Sequence, residues 1–451
     1  MIGEFNEPFL AAVEEGWTVA RDATAHASTM AAIHDLDSPM YEKSQFAHPL
    51  LFSEAEFLEL SQACRALLSA QLKLIGHLID TRSREGLLDL LRMPRRLAGF
   101  IHWDNLRHGD ATIGRMDVVP TRHGYYFCEF NIFPGVGGGE AYEGSRAAAE
   151  ALGFPRAGLT DSPLRDLAVL YASECRKRDL RRVVILDSTM HSGLGYPRQE
   201  YLKRYLEELN PGVPVHILDE VRYPEAWLER EEAERTLIHR MFTYEEVTDG
   251  FVFLEKLWAS GAVLTNGFEP ELRMSKRFLA LLCEPGHQAL FNDEERAAIQ
   301  KYLPPAFSLT EANLKAALRD KEGLVFKIDD SSSYGGSGVL MGTDWASDVL
   351  EQKLREPGVE RWICQRVVEA ETVKLRAAGD SVPHEYRLVL GFYSYGGKAN
   401  GFLVRGSRTS KVVNITSGGK LGWAFVVSEE GRQAFIRHAR SRAEDVTARS
   451  A

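Results

Sequence analysis

The chain has 451 residues, of which 44% are hydrophobic and 26% are charged, as is usual for globular proteins. This composition excludes a disordered, collagen-like or low-complexity chain, and the length predicts about three domains. Lys and Arg number 54 and Asp and Glu number 64, so the net charge is −10. An acidic balance argues against a nucleic-acid surface, because phosphate backbones require a basic face. A local basic pocket remains compatible with it.

The cysteines and the N-terminus favour a cytoplasmic protein. The five cysteines are too widely spaced for a CxxC metal or redox motif, and an odd, scattered set indicates reduced thiols. The N-terminus carries acidic residues where a signal peptide would carry Lys or Arg. No run approaches the roughly 20 apolar residues of a membrane span. We therefore expect a cytoplasmic location and no membrane contact.

The N-terminal region, 7–98, is predicted to be helical. Apolar residues recur at helical spacing in 53–80, and Ser53 with Glu56 forms a capping box. Residues 113–134 change to period 2, which predicts a β-hairpin with its turn at 121–124. The hairpin leads into the segment PGVGGGEAYEG, which either is flexible or lets the backbone approach a ligand closely.

Helices and strands alternate from about residue 160. Helices are predicted at 164–178 and 198–209, and strands at 181–187, 213–219 and 261–267. This βαβα pattern indicates a parallel sheet. The loop at 187–201 follows the carboxyl end of a strand, where open α/β sheets usually bind ligands. Its candidate recognition residues are Ser192, Tyr196 and Glu200, although loop residues in such places are often merely polar.

The last part of the chain changes from helices to strands. Residues 268–318 are predicted to be helical, and strands are predicted at 323–330, 339–342, 362–368, 385–394 and 398–406, the last leading into a strand at 411–416. Domain boundaries are placed near 98, 160, 266 and 375. The resulting segments are 1–98, 99–160, 161–266, 267–375 and 376–451.

One candidate phosphate site is the hairpin around Lys327. A strand carries this lysine, and a Ser/Gly-rich turn at 331–338 leads into the next strand. Backbone N–H groups and serine hydroxyls of such a turn can cover a polyphosphate, with the lysine as a fixed charge. The alternative is a surface hairpin with a flexible tip. Asp329 and Asp330 could add a metal contact or simply face solvent.

A candidate metal site lies on the first hairpin. Glu129 and Asn131 are two residues apart on a strand, so both point to one face, which Asp117 on the paired strand can reach. Two carboxylates and an amide oxygen suit Mg²⁺ carrying nucleotide phosphates. Arg115 lies on the same side and could hold a carboxylate or phosphate with two prongs. The alternative is an ordinary solvated strand face.

Three further basic or polar positions complete the set of candidates. Lys276 lies in a predicted amphipathic helix, and Gln365 lies at a strand end. Arg405 is expected beside a glycine in a turn between strands. Taken singly, each of these is ordinarily structural or solvated.

Together, these motifs resemble the circularly permuted branch of the ATP-grasp ligases, which includes glutathionylspermidine synthase and eukaryotic glutathione synthetase. The order of the motifs carries the resemblance: RMD and EFN come first, and FKIDDSSSYGGSGV follows about two hundred residues later. The resemblance spans about residues 100–420. It implies an α/β (α+β) ATP-grasp fold, circularly permuted, with an inserted α/β substrate domain at 161–266. The predicted N-terminal helical region precedes this span. A fused amidase domain is not expected.

The resemblance also implies roles for the candidate residues. It makes Asp117, Glu129 and Asn131 the Mg²⁺ ligands. It makes Arg115 a substrate-facing or acyl-phosphate-facing arginine, and Arg405 an arginine that steadies the transferring phosphate. The residues implied to bind ATP are Lys276, Lys327, Ser332, Ser333, Gly335, Gly336 and Gln365. One departure is that Ile328 and Asp329 stand where the family usually has the proline of KPxxG and the residue after it.

The expected reaction is ATP-dependent formation of an amide between a small-molecule carboxylate and an amine, with ADP and phosphate released. One alternative is a small-molecule kinase, and another is a nucleotide-binding regulatory protein without turnover. The identities of the substrates and the oligomeric state cannot be read from the sequence, although dimers are common among ligases of this type.

Overall fold

The computed structural model describes residues 2–15, 45–108, 113–155, 158–194, 197–329, 338–413 and 418–450. The helices are α1 (Ile2–Glu15), α2 (Glu54–Leu90), α3 (Asn105–His108), α4 (Ser145–Leu152), α5 (Pro163–Arg178), α6 (Pro197–Leu209), α7 (Arg230–Ala233), α8 (Val252–Ser260), α9 (Glu269–Arg273), α10 (Arg277–Cys283), α11 (Asp293–Tyr302), α12 (Glu311–Arg319), α13 (Ser347–Arg355) and α14 (Glu429–Ser450).

The strands fall into three larger sheets and one two-stranded pair. They are β1 (Leu50–Ser53), β2 (Ile113–Thr121), β3 (Gly124–Ile132), β4 (Arg182–Asp187), β5 (Val215–Asp219), β6 (Thr236–Arg240), β7 (Val263–Leu264), β8 (Ala306–Ser308), β9 (Leu324–Ile328), β10 (Val339–Met341), β11 (Trp362–Arg366), β12 (Thr372–Leu375), β13 (His384–Tyr395), β14 (Lys398–Ser407), β15 (Lys420–Gly422) and β16 (Ala424–Val427).

The central sheet is antiparallel and joins distant parts of the chain. Its order is β15-β14-β13-β2-β3, with β12 paired to the outer part of β13. The predicted hairpin is confirmed: β2 and β3 pair antiparallel across a two-residue turn. Apolar side chains of this sheet, including Phe127 and Phe392, share the largest hydrophobic core with α2 residues such as Leu67 and Leu74. The hairpin therefore has one face anchored in the core.

A parallel sheet is built by the middle of the chain, as the alternating pattern predicts. Its order is β5-β4-β6-β7, and every neighbouring pair is parallel. Strand β6, which lies between β4 and β7, was not predicted. All five residues of β6 are buried, so its sequence shows neither strand alternation nor helical spacing. The expected third strand at 261–267 is reduced to the two residues of β7 at the sheet edge.

A third sheet, called the lid sheet here, has the order β10-β9-β11-β8 and is antiparallel throughout. The predicted pairing of the strands on either side of the Ser/Gly-rich turn is confirmed, with Lys327 opposite Val339. Residues 330–337, which include all of the turn predicted at 331–338 except Gly338, lie outside the described residues.

Several local expectations need correction. The capping box of Ser53 and Glu56 is confirmed at the start of α2. The residues just before it, however, form β1, whose buried apolar run pairs with β16 instead of continuing a helix. Arg405 does not lie in a turn: it is inside β14, opposite Val389 and Leu421. Residues 411–413 form no strand, and the chain ends in the unpredicted helix α14.

The glycine-rich segment after β3 lets the backbone approach closely, but the partner is the protein itself. A Cβ at Gly135 would lie 2.6 Å from the carbonyl oxygen of Met241, directly after β6. A Cβ at Gly144 would lie 2.1 Å from the ring of Trp423. Both glycines are therefore required by packing between segments of this chain.

Two further findings bear on the expectations from composition. All five cysteines are free. In the part of the chain that the structure describes, no helix combines the length and the apolar character needed to cross a membrane.

Candidate functional site

A β-bulge turns Glu129 and Asn131 away from the core. In the β2–β3 pair, Asp117 faces Glu129 while the next residue of β2, Val118, faces Phe127, so Cys128 is an extra residue in β3. A bulge of this kind shifts the alternation of side chains by one position. Phe127 remains in the core, and Glu129 and Asn131 are only partly buried on the other face.

The bulge thereby groups the four predicted hairpin residues. Asp117 is directly opposite Glu129, and Arg115 is directly opposite Asn131. Residues two apart on one strand share a face, and directly opposed residues have Cβ atoms about 5 Å apart. Two carboxylates, one amide and one guanidinium group therefore lie side by side on the hairpin.

Asp117 is held between two arginines. Its Oδ1 atom is 2.6 Å from Nη2 of Arg405 and 3.4 Å from Nε of Arg115. Arg405 reaches it from β14 across the intervening strand β13, where Gly391 lies opposite Asp117. A Cβ at Gly391 would lie 2.8 Å from Cδ of Arg115, so the glycine makes room for that side chain. Burial disfavours the charged form of Asp117, but the Arg405 and Arg115 guanidinium groups outweigh it and hold the pKa of Asp117 below its usual range.

The two predicted lysines reach the hairpin from other elements. Lys276, directly before α10, places Nζ 3.2 Å from Oε1 of Glu129. Lys327, on β9, donates hydrogen bonds of 2.7 Å to the carbonyl oxygen of Cys128 and to Oε1 of Gln365. Because Cys128 is the bulged residue, it has no direct partner in the β-ladder. The lid sheet therefore contacts the central sheet at the bulge.

The site has an excess of positive charge. Four cationic groups (Arg115, Lys276, Lys327 and Arg405) surround two carboxylates (Asp117 and Glu129), which gives 4 − 2 = +2. Lys327 is 6% exposed, and its two hydrogen-bond partners are neutral. Burying an uncompensated charge costs several kcal/mol in effective terms. The site is therefore suited to an anion.

Buried donors point to the same conclusion. The Nδ2 atom of Asn131, the Nε2 atom of Gln365 and the Nε atom of Arg405 are buried and have no hydrogen-bond partner among the described residues. Buried polar groups are nearly always hydrogen-bonded in folded proteins, so each such group requires an explanation. All three atoms are donors, and a ligand rich in acceptor oxygens would satisfy them.

The hairpin oxygens fit a hard cation. Asp117, Glu129 and Asn131 offer the carboxylate and amide oxygens that Mg²⁺ prefers. No group of three or more His, Cys, Asp or Glu side chains that could hold a metal occurs within the described ranges. Two carboxylates and one amide would leave positions for water and ligand phosphates, which Mg²⁺ usually retains. The donor set thus fits Mg²⁺ only together with a phosphorylated ligand.

Several candidates cannot be placed. Residues Ser332, Ser333, Gly335, Gly336 and Tyr196, and the side chain of Ser192, lie outside the described parts of the structure. Glu200 lies in the first turn of α6 and is partly buried.

A charged cluster at the carboxyl edge of the parallel sheet was not predicted. Asp187 ends β4, and its Oδ1 atom is 2.8 Å from Nδ1 of His191, whose Nε2 atom is 3.2 Å from Oε1 of Glu246. Gln199 donates a hydrogen bond to the other oxygen of Asp187. Hydrogen bonds to Asp187 and Glu246 outweigh burial and raise the pKa of His191 to about 10. The i, i+4 spacing of Asp187 and His191 behind a buried strand was the available signal.

Comparison with known proteins relates the chain to others through its fold. No protein-family model matches the sequence, and no curated protein matches it. The structure is similar to that of a glutathione synthetase-like effector from Globodera pallida in its apo form, with a TM-score of 0.61 and 13% sequence identity. The match covers 91% of this chain and 97% of that one. The chain therefore has a mixed α/β fold similar to that of a glutathione synthetase-like protein.

The first prediction concerns the charge of Lys327. The substitution Lys327→Gln removes the charge and keeps an N–H donor, so we expect the free energy of unfolding without ligand to stay unchanged or to rise by up to about 2 kcal/mol. Urea denaturation would measure this. The matched control is Lys73→Gln, which removes the ammonium that pairs with the buried carboxylate of Glu295. That control should lose about 1 kcal/mol or more, and an equal loss in both variants would make Lys327 a structural residue.

The second prediction concerns pH. Because the pKa of His191 rises from its ordinary value of 6.5 to about 10 on folding, its protonation stabilises the folded state. This contribution is complete below about pH 6.5 and is lost as the pH rises through about 10. The difference in unfolding free energy between the wild type and His191→Asn should therefore shrink over this range, as measured by urea denaturation at several pH values. A difference that does not change with pH would show that His191 forms no charged pairs with Asp187 and Glu246.

Proposed function

We propose that the protein is an ATP-dependent carboxylate–amine ligase of the circularly permuted ATP-grasp type. ATP phosphorylates a carboxylate, an amine attacks the resulting acyl phosphate, and the products are an amide, ADP and phosphate. The observation that carries the proposal is the buried ammonium of Lys327, which contacts no carboxylate among the described residues and lies beside the candidate oxygen ligands of the β2–β3 hairpin. A nucleotide phosphate would supply the missing negative charge.

The topology supports the permutation. The hairpin with the candidate metal ligands comes from residues 113–132, yet it pairs with β13 in a sheet whose other strands come from residues 372–422. The lid sheet, which contacts the hairpin through Lys327, lies between them in sequence. This arrangement is what is expected if the metal-binding strands of an ATP-grasp domain had moved to the front of the chain. The fold similarity to a glutathione synthetase-like protein is consistent with it.

The proposal gives each candidate residue of the site a role. Lys276 and Lys327 would hold the nucleotide phosphates. Ser332, Ser333, Gly335 and Gly336, which lie outside the described residues, are proposed to bind the same phosphates. The side-chain amide of Gln365, whose Nε2 atom has no hydrogen-bond partner among the described residues, would lie beside the adenine. Mg²⁺ bound by the hairpin oxygens would neutralise phosphate charge.

In the free protein, Glu129 and Lys276 form an ion pair, which keeps the carboxylate and the ammonium group next to each other in the site. Glu129 can bind a metal only by giving up part of this contact, and Lys276 is then free to turn to phosphate. One charge pair, Glu129 with Lys276, is thereby replaced by two, Glu129 with the metal and Lys276 with phosphate. Binding of the metal and of the nucleotide is therefore expected to be mutually dependent.

The chemical step needs no nucleophilic side chain. The transferring phosphoryl group is positioned, and its charge is stabilised by fixed donors. The backbone of Arg405 is paired on both sides, with β13 and with β15, which fixes the position of such a donor. The carboxyl edge of the parallel sheet, with Glu200 and the Asp187–His191 pair, is the proposed region for substrate recognition. A small-molecule carboxylate and an amine are the proposed partners.

The third prediction tests the reaction class. The measurement is the release of ADP from Mg-ATP in a screen of amino acids and polyamines, which serve as possible carboxylate and amine substrates. We expect ADP to be released only when an amine is present together with the carboxylate. Release that yields a phosphorylated product without an amine would indicate a kinase. ATP binding without any ADP release would indicate a regulatory nucleotide-binding protein. An unchanged melting temperature with ATP and Mg²⁺ would contradict all three, because a ligand that binds only the folded state raises it.

The fourth prediction separates the two arginines. Arg405→Lys should lower kcat by about 10²-fold with little change in ATP affinity, because it removes a donor to the transferring group. Arg115→Lys should chiefly raise the apparent KM for the carboxylate, because one ammonium cannot reproduce a two-pronged contact. Steady-state kinetics of both variants would measure this. Wild-type constants in either variant would exclude that arginine from the site.

A further inference from the structure

The carboxylate of Asp329 connects the two candidate nucleotide lysines. Asp329 follows Lys327 by two residues and is 4% exposed. Its Oδ1 atom accepts hydrogen bonds from Oγ of Ser275 at 2.7 Å and from the backbone N–H of Arg277 at 3.3 Å. Its Oδ2 atom accepts one from Nε of Arg277 at 2.8 Å. One carboxylate beside Lys327 thus binds the residues on both sides of Lys276.

The backbone closes this cluster. The N–H of Asp329 donates to the carbonyl oxygen of Arg361 at 2.7 Å, and Nη2 of Arg277 donates to the carbonyl oxygen of Glu360 at 2.7 Å. Strand β11, which carries Gln365, begins directly after Arg361. The end of β9, the start of α10 and the start of β11 are therefore held together by Asp329 and Arg277.

Asp329 also helps to cap the start of α10. Lys276 occupies the N-cap position of α10 and makes no capping hydrogen bond with its own side chain. Exposed N–H groups of a first helical turn are usually satisfied by a side-chain oxygen at the N-cap. Here the backbone N–H of Arg277 donates to Oγ of Ser275 and to Oδ1 of Asp329, each at 3.3 Å, so part of the cap comes from another element. The side chain of Lys276 pairs instead with Glu129.

We propose that Asp329 is a positioning residue that fixes Lys276 relative to Lys327, so that both ammonium groups meet one nucleotide. The sequence left two roles open for this residue, a metal contact or exposure to solvent. The structure supports neither, since Asp329 is buried and both of its carboxylate oxygens accept hydrogen bonds from the Lys276 segment. The inference rests on the proposed function, because it assigns both lysines to ATP.

A double-mutant cycle tests the coupling, and it is the fifth prediction. Asp329→Asn should weaken Mg-ATP binding by about tenfold, measured by calorimetry, because Lys276 is misplaced. In the Lys276→Met variant, Asp329→Asn should not weaken binding further, because the ammonium group that Asp329 positions has already been removed. The matched control is Glu295→Gln, which alters another buried carboxylate bonded to a serine and a cation, Ser69 and Lys73. This control should bind ATP like the wild type.

A second readout does not need the nucleotide. Lys276 is 9% exposed, so it should react slowly with acetic anhydride in the free protein. Mass spectrometry should show faster acetylation of Lys276 in Asp329→Asn and an unchanged rate in Glu295→Gln. Ser275→Ala removes only one contact of Asp329 and should change both readouts in the same direction, which covers the case in which Asp329→Asn does not fold.

The outcomes separate the two proposals. Wild-type ATP affinity in Asp329→Asn, independent effects in the double variant, or an unchanged acetylation rate would each overturn the positioning role. Failure of the wild type to bind ATP would overturn the proposed function and the assignment of the lysines to ATP. Acetylation would then decide alone whether Asp329 orders the Lys276 segment.

Discussion

The candidate site depends on one hydrogen bond, which the buried ammonium group of Lys327 donates to the backbone carbonyl oxygen of Cys128. The lid sheet contacts the central hairpin through this hydrogen bond to Cys128. The carbonyl lies at the bulge, where the regular ladder of β2 and β3 is interrupted. A regular hairpin would turn Glu129 to the core face with Phe127 and would disperse the hairpin oxygens. The inserted residue, Cys128, therefore turns the candidate metal ligands Glu129 and Asn131 away from the core. Its carbonyl group also provides the contact with the lid sheet.

A second buried charge connects the parallel sheet to the same site. Arg240, the last residue of β6, pairs with Glu271 of α9 through contacts of 2.7 Å and 3.0 Å, and neither side chain is exposed. Arg240 also donates to the carbonyl oxygen of Gly267 and lies 4.1 Å from the ring centroid of Phe268. Breaking such a pair by removing one partner costs about 3 to 5 kcal/mol. The segment that leads to Lys276 is thus firmly attached to the sheet whose carboxyl edge is the proposed substrate region.

The parts of this arrangement that follow local rules could be predicted from the sequence. The hairpin and the capping box of Ser53 depend on residues close in the chain, and so do the helices and most strands of the parallel sheet. The bulge at Cys128 could not be predicted, because it exists only relative to the partner strand. Arg405 was placed in a turn because Gly406 follows it, whereas pairing with β13 and β15 makes this segment a strand. The contact of Asp329 with Arg277 joins residues 52 positions apart, and no spacing rule predicts it.

The overall charge and the local charge of this protein have opposite signs, and both matter for what it can bind. At −10, the chain as a whole would repel an extended polyanion such as a nucleic acid. At physiological ionic strength, interactions between exposed charges are largely screened beyond about 8 Å, whereas buried charges are screened much less. A small anion that enters the site therefore interacts mainly with the local excess of +2 around Lys327 and Arg405. An acidic protein with a buried basic cluster is in this way suited to a small anion and not to an extended polyanion. Under the proposed function this anion is the triphosphate of ATP, and Asp117 and Glu129 beside the basic groups would hold its Mg²⁺.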